Sequence, residues 1–259
     1  MQKVTISKII KKKNKTPIVC LTAYSKTIAE IADKYCDVIL VGDSLGMVLY
    51  GMKTTREIKI ETMILHAKTV KSFTKKSLVV FDMPYNTYKN KFMAYKNAKR
   101  VMKITKCDAI KLEGGKNIST IIKHLTQKKI PVMGHIGLLP QSSKDFKVKG
   151  KNIVQEKQIL EDAQIVAKSG AFAIVVECVV ENLAKKISQN ISIPTIGIGA
   201  SKYCDGQIIV SDDMLGLSDF SPRFVKKYSN LKKIIKKCVK SFSSDVKLRR
   251  FPSYKNIYK

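Results

Sequence analysis

Tryptophan is absent from this chain of 259 residues, and arginine and acid are both scarce: only 5 of its 49 basic residues are Arg, and Asp and Glu together number 20. The net charge of +29 raises nucleic acid as a partner. Yet arginine is the side chain suited to bidentate contact with phosphates and base edges. The lysines that carry the charge are spread over every predicted helix and loop instead of forming one stripe. That pattern fits A/T-biased coding and argues against a specific nucleic-acid-binding face. What it leaves is sequence-independent adhesion that salt removes.

The chain also lacks any Cys-x-x-Cys pair. Its six cysteines (Cys20, Cys36, Cys107, Cys178, Cys204, Cys238) are scattered, mostly inside apolar runs where free cysteine acts as a small hydrophobe. This argues against a zinc site or a disulfide framework and predicts reduced thiols in the cytoplasm. No stretch reaches the roughly 18 apolar residues that a membrane span needs. No apolar region follows the lysine run of Met1 to Lys15, which argues against a secretory signal. There is no low-complexity linker, so we expect one domain over 1–259.

What the chain does have is an end-to-end alternation of strand-like and helical segments. Residues 17–23 read as a first strand and 25–34 as a helix, followed by a strand ending at Asp43. Ile60, Met63, Ile64, Ala67 and Val70 share one helical face. A strand ending at Asp82, a lysine-rich helix near 89–104 and a strand ending at Glu113 come next. Helix 117–127, strand 130–135, helix 153–168 and a strand ending at Glu177 continue the pattern. Strands at 193–199 and 206–210 complete eight. Length and alternation predict an α/β chain folded as a single-domain (β/α)8 barrel, with a doubly wound open sheet second. Near the C-terminus, Leu231, Ile234, Ile235, Cys238, Val239 and Phe242 form an amphipathic stripe expected to pack against the domain.

Four of the few acids, Asp43, Asp82, Glu113 and Glu177, each stand where an apolar run gives way to a turn. In parallel α/β folds the C-terminal ends of the strands carry the ligand site. Carboxylates meeting there repel one another unless a hard cation or a bound proton compensates them. Lys111 and Glu113 alternate along one strand and so face the same side. They form either an anion-capturing pair beside a metal or a simple buried ion pair. Gly134-His135-Ile136-Gly137 sets a histidine at a strand end, which favours a ligand contact, whereas His66 and His124 sit in helical patterns. Gly197-Ile198-Gly199-Ala200-Ser201-Lys202 superficially resembles a phosphate loop but lacks the full spacing, and a tight barrel turn is the sounder reading.

Beyond these features, the chain resembles the ketopantoate hydroxymethyltransferase family from one end to the other. The matching stretches, in the family's order, are Leu21-Thr22-Ala23-Tyr24, Val41-Gly42-Asp43-Ser44-Leu45-Gly46-Met47 and Asp82-Met83-Pro84-Tyr85. They continue through Lys111-Leu112-Glu113-Gly114-Gly115, Pro131 to Leu138, Ile196 to Ala200, Asp205-Gly206-Gln207 and Asp213-Met214-Leu215-Gly216. The resemblance implies a (β/α)8 barrel that moves a hydroxymethyl group from 5,10-methylenetetrahydrofolate to 3-methyl-2-oxobutanoate, the first committed step toward pantothenate. It implies Mg2+ held by Asp43, Asp82 and Glu113. It also implies keto-acid contacts from Asp43, Ser44, Asp82 and Lys111, an active-site histidine at His135, and Glu177 as proton acceptor. A homo-oligomer, decameric in many bacterial members, is a further implication. A magnesium-dependent keto-acid barrel of the phosphoenolpyruvate mutase/isocitrate lyase type is the alternative. The chain departs from the family pattern at Ser25, where Asp is common, and at Ser201, where Gly is usual. In 144–150 a Gly-Gly-Tyr loop is also shortened and lacks its glycine pair.

Overall fold

The computed structural model describes residues 2–143, 146–219 and 222–258. Lys144 and Asp145, at the start of the shortened loop, lie outside the described residues. The chain divides into two compact units, Met1–Ser211 and Asp212–Lys259.

In the first unit, β1 (Ile18–Thr22), β2 (Val38–Val41), β3 (Leu78–Asp82), β4 (Ala109–Lys111), β5 (Val132–Gly137), β6 (Ala173–Glu177), β7 (Thr195–Ile198) and β8 (Gly206–Ile209) form a closed parallel barrel in sequence order. Helices α1 (Ile6–Lys11), α2 (Lys26–Tyr35), α3 (Leu45–Tyr50), α4 (Ile60–Ser72), α5 (Lys91–Thr105), α6 (Ser119–Gln127), α7 (Ile153–Lys168) and α8 (Glu181–Asn190) accompany it. Strands β2 to β7 are buried on both faces, as their apolar runs require of a parallel sheet wrapped in helices, whereas β1 and β8 expose Val19 and Gln207 on the outer face.

Two apolar clusters follow from the period of two along each strand. Ile18, Cys20, Val38, Leu40, Leu78, Val80, Ala109, Met133, Ala173, Val175, Ile196 and Ile208 point inward and fill the barrel. The alternate residues, among them Ile39, Val79, Phe81, Ile110, Val132 and Ile174, meet the helices outside. Val4 and Ile9, from the N-terminal segment and α1, join the inner cluster, an addition that periodicity did not predict. Between β7 and β8 there is only a turn and no helix.

One buried acid ties that turn to the bottom of the barrel. Asp205 accepts from Lys13 Nζ (2.8 Å), from the backbone N–H of Asn14 (2.8 Å) and of Thr195 (2.8 Å), and from the hydroxyls of Thr195 (2.9 Å) and Ser188 (3.2 Å). Burial alone would raise its carboxyl. The donors led by Lys13 and Thr195 outweigh burial and hold it below the ordinary 3.8.

In the second unit, α9 (Ser211–Leu215) leads to α10 (Leu231–Lys247), whose N-cap Asn230 accepts from the N–H of Lys233. The amphipathic helix forms as predicted, but the expected burial of its stripe is not seen: none of its residues is buried. No helix among the described residues is long and apolar enough to cross a membrane.

Asp205→Asn tests the lower network. Asn cannot satisfy all five donors, so the variant should lose about 1–3 kcal/mol at pH 7 by urea unfolding. The folded carboxyl titrates below the unfolded one. Its stabilisation is therefore complete above the ordinary value and disappears as pH falls through the folded value. The gap between wild type and variant should close over that acid range and nowhere above it.

Candidate active site

On four strands the inward-facing positions that continue the barrel's filling become polar as the strand leaves it. Leu78 and Val80 lead to Asp82, Ala109 leads to Lys111 and Glu113, and Ala173 and Val175 lead to Glu177. His135 follows Met133 in the same way on β5. Asp82 lies directly beside Lys111 in the β3–β4 register. Asp43 arrives differently: it stands past the end of β2 in a turn, where the N–H of Gly46 bonds its carbonyl at 3.0 Å.

These side chains make one unbroken line of contacts. The N–H of Asp43 donates to Asp82 Oδ2 at 3.2 Å. Lys111 Nζ donates to both oxygens of Asp82 at 2.8 Å and reaches Glu113 Oε1 at 3.5 Å. His135 Nδ1 is 3.4 Å from Glu113 Oε1, and its Nε2 is 3.2 Å from Glu177 Oε2. These are ion-pair distances, and among the described residues neither ring nitrogen has hydrogen-bond geometry to a partner. Ser44 sits at the edge, its Oγ 2.8 Å from the Tyr24 hydroxyl. Gly137 makes the β5–β6 approach possible. Its φ of +91° suits glycine, and a Cβ there would fall 2.3 Å from the Glu177 carbonyl.

Burial and charge act against each other throughout. Burial, then repulsion from Asp82 and Glu113, pushes the Asp43 carboxyl well above its ordinary value. Glu113 is pushed up by burial too, but Lys111 and His135 outweigh that and hold it at about 2. Burial would discharge Lys111; the carboxylates of Asp82, Glu113 and Asp43 keep it charged. For His135, burial and Lys111 pull down, while Glu113 and Glu177 raise it to about 9.

All the predicted site residues except Ser44 therefore meet in one connected cluster. Lys111 forms the buried ion pair that was one of the two readings alternation left open. Sequence reasoning did not single out Gln141 or Tyr88, which also enter the cluster. Gln141 Nε2 donates to Asp43 Oδ2 at 2.8 Å, and the Tyr88 hydroxyl donates to Gln141 Oε1 at 2.5 Å. Both come from loops, where neither periodicity nor charge marks a residue. The two helical histidines stay outside: His66 contacts the Tyr24 carbonyl and the Tyr50 hydroxyl, and His124 packs against Tyr95.

Whether the residues fit a divalent metal can be judged from the donors themselves. Among the described residues no three His, Cys, Asp or Glu side chains form a closed cage around one point. Magnesium does not need one, since it keeps several waters and takes one or two carboxylates plus substrate oxygens. The donors are hard oxygens, and Asp43 Oδ1 takes no hydrogen bond from the described residues. The charge that raises the Asp43 carboxyl is what a dication would offset. The fit is to an open site.

A family model for ketopantoate hydroxymethyltransferase matches residues 3–254. The chain belongs to this family. It is 53% identical over 253 residues to the 3-methyl-2-oxobutanoate hydroxymethyltransferase of Pelagibacter ubique (strain HTCC1062), covering 98% of each chain. To the protein of the same name from Bartonella henselae it is 48% identical, covering 100% of this chain and 96% of the relative. It is thus a transferase of that type. Two solved structures share the barrel. Phosphonopyruvate hydrolase in complex with oxalate and Mg++ has a TM-score of 0.64 at 10% identity, over 97% of this chain and 93% of that one. A 2,3-dimethylmalate lyase of the PEP mutase/isocitrate lyase superfamily has 0.64 at 12%, over 95% and 86%. At such identities the likeness is one of fold alone.

Lys111→Met should be costly. It leaves Asp82 and Glu113 buried without their cation, and losing one partner of a buried ion pair destabilises by roughly 3–5 kcal/mol. Urea midpoints should show that loss, and Lys111→Met with Asp82→Asn should recover much of it. A single variant as stable as wild type would mean that the acids are compensated from elsewhere.

Proposed function

We infer that the chain forms 2-dehydropantoate by joining a one-carbon unit from 5,10-methylenetetrahydrofolate to C3 of 3-methyl-2-oxobutanoate, with Mg2+ at the acids. What carries the reading is the coincidence of full-length family membership with a single connected cluster of the family's motif residues at the strand ends. The reaction balances with one water. C3 loses its proton and gains the carbon–carbon bond. The one-carbon unit leaves both carrier nitrogens and takes its hydroxyl from water, and those nitrogens end with one proton from C3 and one from water.

Each residue has a part that its surroundings support. Asp43 and Asp82 would hold the ion, and Glu113 would assist from beside it, directly or through water. When bound, magnesium supplies positive charge to the ketone oxygen on which the carbanion's charge collects. Lys111 and Ser44 orient the keto acid, the lysine as a fixed positive charge and the serine as a hydroxyl donor. Glu177 accepts the C3 proton at Oε1, the oxygen not facing His135. His135, held between Glu113 and Glu177, fixes the direction of that carboxylate. The free cysteines support a cytoplasmic place for this chemistry, and family membership supports a homo-oligomer.

Metal dependence is one test. Asp43→Asn and Asp82→Asn should each abolish most turnover while the circular dichroism spectrum stays that of wild type. EDTA should silence the wild type, and added magnesium should restore it. Full activity after exhaustive chelation would refute the metal.

The base is tested without folate. Wild type with magnesium should exchange the C3 proton of 3-methyl-2-oxobutanoate for solvent deuterium. In Glu177→Gln that exchange should fall by roughly 10²–10⁴, the usual worth of a general base. Keto-acid binding should change little. Exchange at the wild-type rate would leave Glu177 a structural acid and make His135 the next candidate.

A further inference from the structure

Gln141 is buried and uncharged, and every polar group it has except its own carbonyl is spent at the mouth of the barrel. Its Nε2 donates to Asp43 Oδ2 at 2.8 Å and to the Met83 carbonyl at 3.0 Å. Its backbone N–H donates to Glu113 Oε2 at 3.0 Å. Its Oε1 accepts from the Tyr88 hydroxyl at 2.5 Å, and that same hydroxyl accepts from the N–H of Glu113 at 3.3 Å. The orientation of the amide is fixed by its neighbours. Turned over, it would set Oε1 against a carboxylate and a carbonyl, both of which only accept.

We propose that Gln141 is a positioning residue for the cation site, fixing the spacing and aim of the Asp43 and Glu113 carboxylates. The inference rests on the metal-assisted reading above and names what holds its ligands still. By engaging Asp43 Oδ2, the amide leaves Oδ1 as the oxygen free to meet an ion. By engaging Glu113 Oε2, the backbone N–H turns Oε1 toward Lys111 and His135. The loop after β5 thus joins residues from the ends of β2, β3 and β4, and Tyr88 locks the amide from behind. Two mutually repelling acids would otherwise swing apart, and each would need reorienting before an ion could bind. Outer partners of metal ligands act in this way.

The test measures the binding of Mn2+ by electron paramagnetic resonance, without substrates. Wild type should bind. Gln141→Met, which keeps much of the volume and loses all three side-chain hydrogen bonds, should raise the Mn2+ dissociation constant by roughly 10–100-fold, the range for outer partners of a metal site. The assay is run well below the variant's melting temperature, so a purely structural role would lower that temperature and leave the dissociation constant alone. Deuterium exchange at C3 should then recover toward the wild-type rate as Mn2+ is raised to saturation. Tyr88→Phe, which frees the amide without removing it, should weaken Mn2+ in the same direction, and it decides the matter if Gln141→Met does not fold. Wild type that binds Mn2+ together with a folded variant of unchanged affinity overturns the role of Gln141 and leaves the metal standing. Wild type that does not bind Mn2+ overturns both.

Discussion

The Lys111 ammonium lies 2.8 Å from both oxygens of Asp82 and 3.5 Å from Glu113, with only 5% of its side chain exposed, so its charge acts almost unscreened on the acids around it. Those acids set its state in turn. Burial would discharge the lysine, and three carboxylates keep it charged. One cation cannot serve three acids equally: burial raises the Asp82 carboxyl too, and Asp43, the acid that Lys111 does not touch, is pushed well above its ordinary value. The cluster is therefore stable as a whole yet unbalanced at one end, and the unbalanced end is where an additional positive charge has most to offer.

That imbalance is possible only because of what lies beneath it. The inward side chains of the barrel run from isoleucine, valine and leucine at the bottom to charge at the top within two residues on several strands. An apolar floor strengthens every interaction above it and makes any uncompensated charge more costly. The same closed barrel that supplies the floor fixes the registers, so that Asp82 and Lys111 are neighbours by construction. Fold and site thus depend on one alternation. A shift of one residue in β3 or β4 would carry the charged groups to the helix face and leave the mouth apolar.

This explains which features could be read from the sequence. A period of two, counted back from a strand end, is enough to put Asp82, Lys111, Glu113 and Glu177 on the inner face. Apolar runs of strand length, alternating with helical patterns, are enough for eight strands and closure. Asp43 was legible as an acid at a strand end, but its aim depends on a turn and on a loop amide, and neither has a period. Gln141 and Tyr88 were invisible for the same reason. They act through single hydrogen bonds made possible by tertiary closure, and a neutral polar residue in a loop leaves no compositional trace. The burial of Ile9 beneath the barrel is a long-range contact of a short helix. The α10 stripe shows the opposite failure, since amphipathicity reports that a face can be covered and not what covers it.

The position of Glu177 follows from the same electrostatics. An acid in direct contact with Lys111 gives up that buried ion pair if it takes a proton. Glu177 is the acid at the far end of the line, paired with His135 and, among the described residues, with no ion pair to Lys111. Its side chain is 16% exposed, against 2% for Asp82 and Glu113, so of these three it stands nearest to water. The imidazole between Glu113 and Glu177 separates an acid that touches Lys111 from one that, among the described residues, does not. Carboxylates of the same chemistry thus meet different surroundings, set by their distance from one buried ammonium.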